Sequence, residues 1–106
     1  MAWFDEPSNR VPGAQPTTPS NLRPLGYQQI TSLSSATALT VPRGAIVALI
    51  QPQTQAVRWR DDGTNPSATV GMPLAVGETL PYTGYLESIK FIEQTASAAL
   101  NISYYG

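Results

Sequence analysis

The chain has 106 residues and a formal net charge of −1, and it contains no cysteine and no histidine. This length supports one domain plus a tail; without cysteine there is no disulfide framework, thiolate metal site or thiol nucleophile, and without histidine the commonest general base is gone. Only 12% of residues are charged, which argues against a nucleic-acid partner, since that needs a Lys- and Arg-rich face, and leans toward a place within an assembly.

Residues 1–26 read as an extended, Pro-rich N-terminal arm. Pro7, Pro12, Pro16, Pro19 and Pro24 are interleaved there with Ser, Thr, Asn and Gln. Proline lacks a ladder donor and holds its predecessor extended, so neither helix nor central strand is expected. Trp3, Phe4, Val11, Leu22 and Leu25 are unusual in a plain linker. They read as anchors by which the arm lies along a neighbouring subunit and orders on binding. Met1–Glu6 has neither the basic nor the apolar region of a secretion signal. No apolar run approaches the ~20 residues that span a bilayer, so the expectation is a product with no membrane partner, made and kept in the cytosol or released by a route other than a cleaved signal.

Residues 27–106 read as a domain of short strands cut by turns. Tyr27–Leu33 and Ala36–Val41 are rich in Ile, Leu and Thr. Val41-Pro42-Arg43-Gly44 fits a type I turn, with Pro second and Gly fourth. Ala45–Gln51 is nearly all apolar and predicts a strand buried on both sides, or covered by the arm, that Pro52-Gln53 breaks. Gln55–Arg60 predicts a further strand, Asp61–Ser67 a polar loop, and Ala68–Met72 a strand ending before Pro73. Ala75-Val76-Gly77-Glu78 has glycine where a type II turn requires it, ahead of a strand over Thr79–Tyr82. Tyr85–Glu93 predicts a strand, with a helix as its rival over 85–99 because Tyr85, Ile89, Ile92, Ala96 and Ala99 fall at helical spacing. Leu100, Ile102 and Tyr104 then alternate with polar residues to the end. About eight such strands indicate an all-β, small antiparallel β-sandwich, and a jelly-roll-like order is compatible.

The electrostatic focus is Arg58-Trp59-Arg60-Asp61-Asp62. Val57 and Trp59 alternate with Arg58 and Arg60, the pattern of a strand with one wet face. Asp62-Gly63 tolerates the positive φ of a hairpin turn. The plain reading is a core strand with a solvated face and local Arg–Asp pairing. The sharper one puts Arg58, Trp59 and Arg60 at a subunit contact, as Trp and Arg are favoured anchors. Asp61-Asp62-Gly63-Thr64-Asn65 fails the spaced carboxylates of a calcium loop. No catalytic triad can form without histidine, and no glycine-rich phosphate loop is present. No catalytic residue, metal or cofactor is expected. Tyr82, Tyr85, Tyr104 and Tyr105 flank turns or the terminus; half-exposed rings there could stack on sugars, but with no evident aromatic platform the favoured reading is rings that cap strand ends and pack edge-on.

Leu39-Thr40-Val41-Pro42-Arg43-Gly44-Ala45 and the run Val57–Ala68 resemble a family of small virion proteins of tailed bacteriophages. Gly71-Met72-Pro73-Leu74, Ile89-Lys90-Phe91-Ile92 and Leu100-Asn101-Ile102-Ser103-Tyr104-Tyr105 extend the resemblance over roughly residues 26–105. It implies a structural role on the particle and transfers no catalytic residue. A reactive-group-free β domain with an anchoring arm is also what a capsid decoration, or cement, protein requires. The expected partners are the major capsid protein or other virion subunits, with self-association, a trimer leading. The expected contact residues are Trp3, Phe4, Val11, Leu22, Arg58, Trp59 and Arg60. Two rivals remain: a head–tail or tail adaptor, and a glycan- or receptor-binding module of a tail fibre using Tyr82 and Tyr85.

Overall fold

The computed structural model describes residues 21–106, in which eight strands and no helix occur. They are β1 (Pro24–Ile30), β2 (Thr37–Ala38), β3 (Val47–Gln53), β4 (Val57–Arg60), β5 (Met72–Leu74), β6 (Leu80–Tyr82), β7 (Lys90–Glu93) and β8 (Ala99–Tyr105). The period-two pattern of the sequence places them. In β8, Leu100, Ile102 and Tyr104 are buried while Ala99, Asn101, Ser103 and Tyr105 are half-buried. In β3, Ala48, Ile50 and Pro52 are buried while Leu49, Gln51 and Gln53 are exposed. One face of each strand therefore leaves water, which sets its register.

Two four-stranded sheets result, ordered β1-β8-β3-β6 and β2-β7-β4-β5, and every pairing is antiparallel. They form a β-sandwich whose core joins Ile50, Leu100 and Ile102 of the first sheet to Val57 and Phe91 of the second. The partners nest: β1 with β8, β2 with β7, β3 with β6, and β4 with β5. Successive nested pairs alternate between the sheets. The chain thus behaves as one long hairpin whose two legs cross together from sheet to sheet. Closing Ile50, Phe91, Leu100 and Ile102 off from water stabilises the fold by about 1.5–3 kcal/mol for each side chain.

Several expectations are corrected. Pro52 does not break its strand. Its carbonyl accepts from Gly77 N at 3.1 Å, so its ring nitrogen faces the side where β6 has already ended, β6 pairing only with Ala48–Ile50. No ladder bond is lost, which is where proline is tolerated. Nor is Ala45–Gln51 buried on both sides, because Ile46 and Leu49 are exposed. Residues 68–71 form no strand; they belong to the loop between β4 and β5, and Pro73 sits within edge strand β5.

The body also begins before residue 27. Pro24 opens β1, and a register shift between Pro24 and Gly26 absorbs Leu25. The turn near Pro42 is moved by one residue: Ala45 N bonds Pro42 O, and Gly44 takes φ +85° at its third position, the type II requirement. The turn at Ala75–Glu78 forms as expected, with Gly77 at φ +83°. Over 85–99 the helix rival is absent, and Lys90–Glu93 is strand.

Candidate functional site

Trp59 lies on β4 between Phe91 of β7 and Met72 of β5. Its ring meets Tyr82 of the opposite sheet edge-on, centroids 6.1 Å apart and planes at 67°. It is half-buried and packs against the core, so it is a wall between the sheets more than a free anchor. Beside it a cleft of about 390 Å³ is lined by Trp59, Arg60, Val70, Gly71 and Met72. Val70 and Met72 are 54% and 56% exposed there, an apolar lip with little to cover it.

The two arginines have different duties. Arg58 donates from Nε to Ala68 O at 3.2 Å and from Nη1 to Gly71 O at 2.8 Å. It therefore clamps the loop that carries Val70 to the strand that carries Trp59. Arg60 makes a two-pronged pair with Asp62, at 3.1 and 2.6 Å, the local pairing expected from the sequence. That hydrogen bond leads in holding the Asp62 carboxyl below its ordinary range, helped by the Thr64 N–H and then by the Arg60 charge, and it leads in holding Arg60 above its own. Both groups are solvated, so the pair adds little stability.

Leu22 is half-buried and precedes Arg23, whose N–H and carbonyl both pair with Gly106, at 2.8 and 3.0 Å. This pins Arg23, near the start of the described residues, to Gly106. The expected anchors Trp3, Phe4 and Val11 lie outside the described residues. Among the described residues, no three acidic side chains cluster as metal ligands would.

The tyrosines do not form a sugar platform. Tyr82 is 7% exposed, and its hydroxyl donates to Asp61 Oδ2 at 2.6 Å. Burial, then the Asp61 contact, push its phenol up to about 12. Tyr104 points inward and donates to Gln28 Oε1 at 2.7 Å. Tyr85 is 69% exposed, and its hydroxyl meets the Glu87 carboxylate, which raises the phenol.

Sequence reasoning missed the outer face of the β1-β8-β3-β6 sheet. No residue of these four strands is charged, whereas the other sheet holds Arg58, Arg60, Lys90 and Glu93. Register sets Tyr27, Ser103, Leu49 and Pro81 in one row across the sheet, and Gln29, Asn101 and Gln51 in the next. Tyr27 Oη and Gln29 Nε2 both donate to Asn101 Oδ1, at 2.6 and 2.9 Å. Asn101 Nδ2 in turn donates to Gln53 Oε1 at 3.0 Å. A neutral amide and hydroxyl ladder therefore spans three strands.

No family model, curated protein or solved structure matches this chain. These comparisons add nothing to the residue chemistry, the geometry and the resemblance read from the sequence. These surfaces offer shape, apolar area and neutral hydrogen bonding, which suit binding.

Proposed function

We propose that this chain is a non-enzymatic structural protein of a tailed-phage virion, a capsid decoration protein that binds and stabilises the assembled head. The observation that carries the reading is the uncharged outer face of β1-β8-β3-β6. A charge-depleted, laterally hydrogen-bonded sheet is the composition of an interface core and unlike an ordinary solvated face. The resemblance of residues 26–105 to small virion proteins supplies the particle, and the Pro-rich leading segment supplies the tether.

The sandwich is read as a jelly roll. The nesting of first strand with last, through to fourth with fifth, supports this, since winding one long hairpin gives that pairing. The segment leaving at Arg23 carries Trp3, Phe4 and Val11 to a neighbouring subunit. The cleft of Trp59, Val70 and Met72 is the apolar receptor for such rings, with Arg60 at its rim. The major capsid protein is the proposed partner, and self-association, with a trimer leading, completes the assembly. Binding only the assembled shell stabilises it by mass action. Tether and body together add avidity without one large interface.

The test is decoration of shells lacking this protein by the full chain and by a chain without residues 1–20, which spares the Arg23–Gly106 pairing. The full chain is expected to bind at a copy number that scales with the capsomers, and the shortened chain to be lost on dilution. Copy number matching a single ring would instead mark a tail or head–tail adaptor. Equal retention of both chains would remove the tether from the mechanism.

A further inference from the structure

We infer that the neutral face of β1-β8-β3-β6 is where a second copy of this chain docks. A contact about a two-fold axis brings a patch against its own copy, so residue i meets j and j meets i, and the unit this face makes is a dimer. Any charge near the axis then meets its like, which is costly when desolvated. Arg58, Arg60 and Lys90 lie on the strands of the other sheet, and the strands of this one have no charge at all. The hydrogen-bonding groups are self-complementary as well. Each primary amide of Gln29, Gln51 and Asn101 both donates and accepts, so an amide row can pair with its own copy where a row of one sign cannot.

Shape points the same way. The Tyr27 ring is 65% exposed and held in place by its bond to Asn101. It borders a hollow of about 230 Å³ lined also by Leu49, Gln51 and Thr79. A knob and a hole side by side on one face allow each copy to fill the other's hollow. The held ring limits the entropy lost on docking.

The measurement is solution mass by light scattering and sedimentation on the free full-length protein, so it is independent of any particle. The wild type is expected to be larger than one chain. Leu49→Arg and Pro81→Glu, adjacent outward positions, are each expected to weaken association at least about a hundredfold through buried like charges. Ala38→Arg, exposed on edge strand β2 of the other sheet, should leave the mass unchanged. Circular dichroism checks folding; Pro81 lies on an exposed edge strand, so Pro81→Glu decides the matter if Leu49→Arg unfolds. A wild type that stays monomeric at its highest soluble concentration overturns the inference, as does an oligomer that both variants preserve. A monomer that binds a neutral oligosaccharide through Tyr27 also overturns it and gives the face to sugars. Self-docking shares this face with the proposed function, and the two fail separately: solution mass tests the pairing of copies, and decoration of shells tests capsid binding, whose remaining supports are the tether and the apolar cleft.

Discussion

Tyr82 Oη donates to Asp61 Oδ2 at 2.6 Å, joining the edge strand of one sheet to the end of the central strand of the other across 21 residues. The same ring is the edge-on partner of Trp59, so one side chain ties the apolar and polar contents of the sandwich mouth. Tyr82→Phe keeps the ring and leaves the exposed Asp61 carboxylate to water. It should cost about 0.5–1.5 kcal/mol, the net worth of a typical hydrogen bond, measured by urea unfolding. An unchanged midpoint would mean that the bond contributes nothing net.

Alkaline stability follows from Tyr82 and Tyr104. Burial leads in raising both phenols from 10.0 to about 12. A folded-state value above the unfolded one means that the fold favours the neutral phenol. The contribution is therefore complete below pH 10 and drains away as pH rises from 10 toward 12. Unfolding free energy should be level from neutrality to about pH 9.5, then fall by up to ~1.4 kcal/mol per pH unit for each group. Tyr104→Phe should flatten this fall. A variant that declines as steeply as the wild type would assign the loss to other groups.

Gln28 is the matching polar link between edge strand β1 and the chain that follows β2. Its Oε1 accepts from Tyr104 Oη at 2.7 Å and from Thr40 N at 3.1 Å. Gln28→Leu leaves the buried Tyr104 hydroxyl without its acceptor and should cost about 1–3 kcal/mol. Adding Tyr104→Phe removes the orphan, so the double variant should be more stable than Gln28→Leu alone. The cycle is measured by chemical unfolding of all four proteins, and simple additivity would deny the coupling.

The body of the sandwich was legible because its signals are local. Leu100, Ile102 and Tyr104 alternate with polar residues, and Gly77 marks its turn, so strand and turn follow from neighbours in sequence. The neutral face was not legible, although each of its strands is visibly uncharged. Only the pairing of β1 with β8, β8 with β3 and β3 with β6 makes four such strands one surface, and no local pattern encodes that order. Tyr82 misled for the same reason. It stands beside Thr83-Gly84 like a strand-end ring, while the carboxylate that draws it inward is 21 residues away. Pro52 was read as a breaker because its harm depends on a neighbour strand, and that strand ends before reaching it.

The turn entering β8 offers a stabilising change. Ser97 takes φ +75°, a region that a residue with a Cβ enters at a cost of about 1–3 kcal/mol. Its backbone N–H donates to Glu93 Oε1 at 3.2 Å, and glycine keeps that bond. Gly itself loses about 0.5–1 kcal/mol of chain entropy on folding, so the two effects compete. Relief of strain should win, leaving Ser97→Gly more stable by about 0.5–1 kcal/mol and raising the thermal midpoint by a few degrees. Thr54, at φ +71°, is the contrasting case. Its Oγ1 donates to Ser97 O at 2.7 Å, so Thr54→Gly gives up a bond between the two turns as it relieves strain, and should change the midpoint little. A Ser97→Gly protein that melts below the wild type would show that the serine is not strained there.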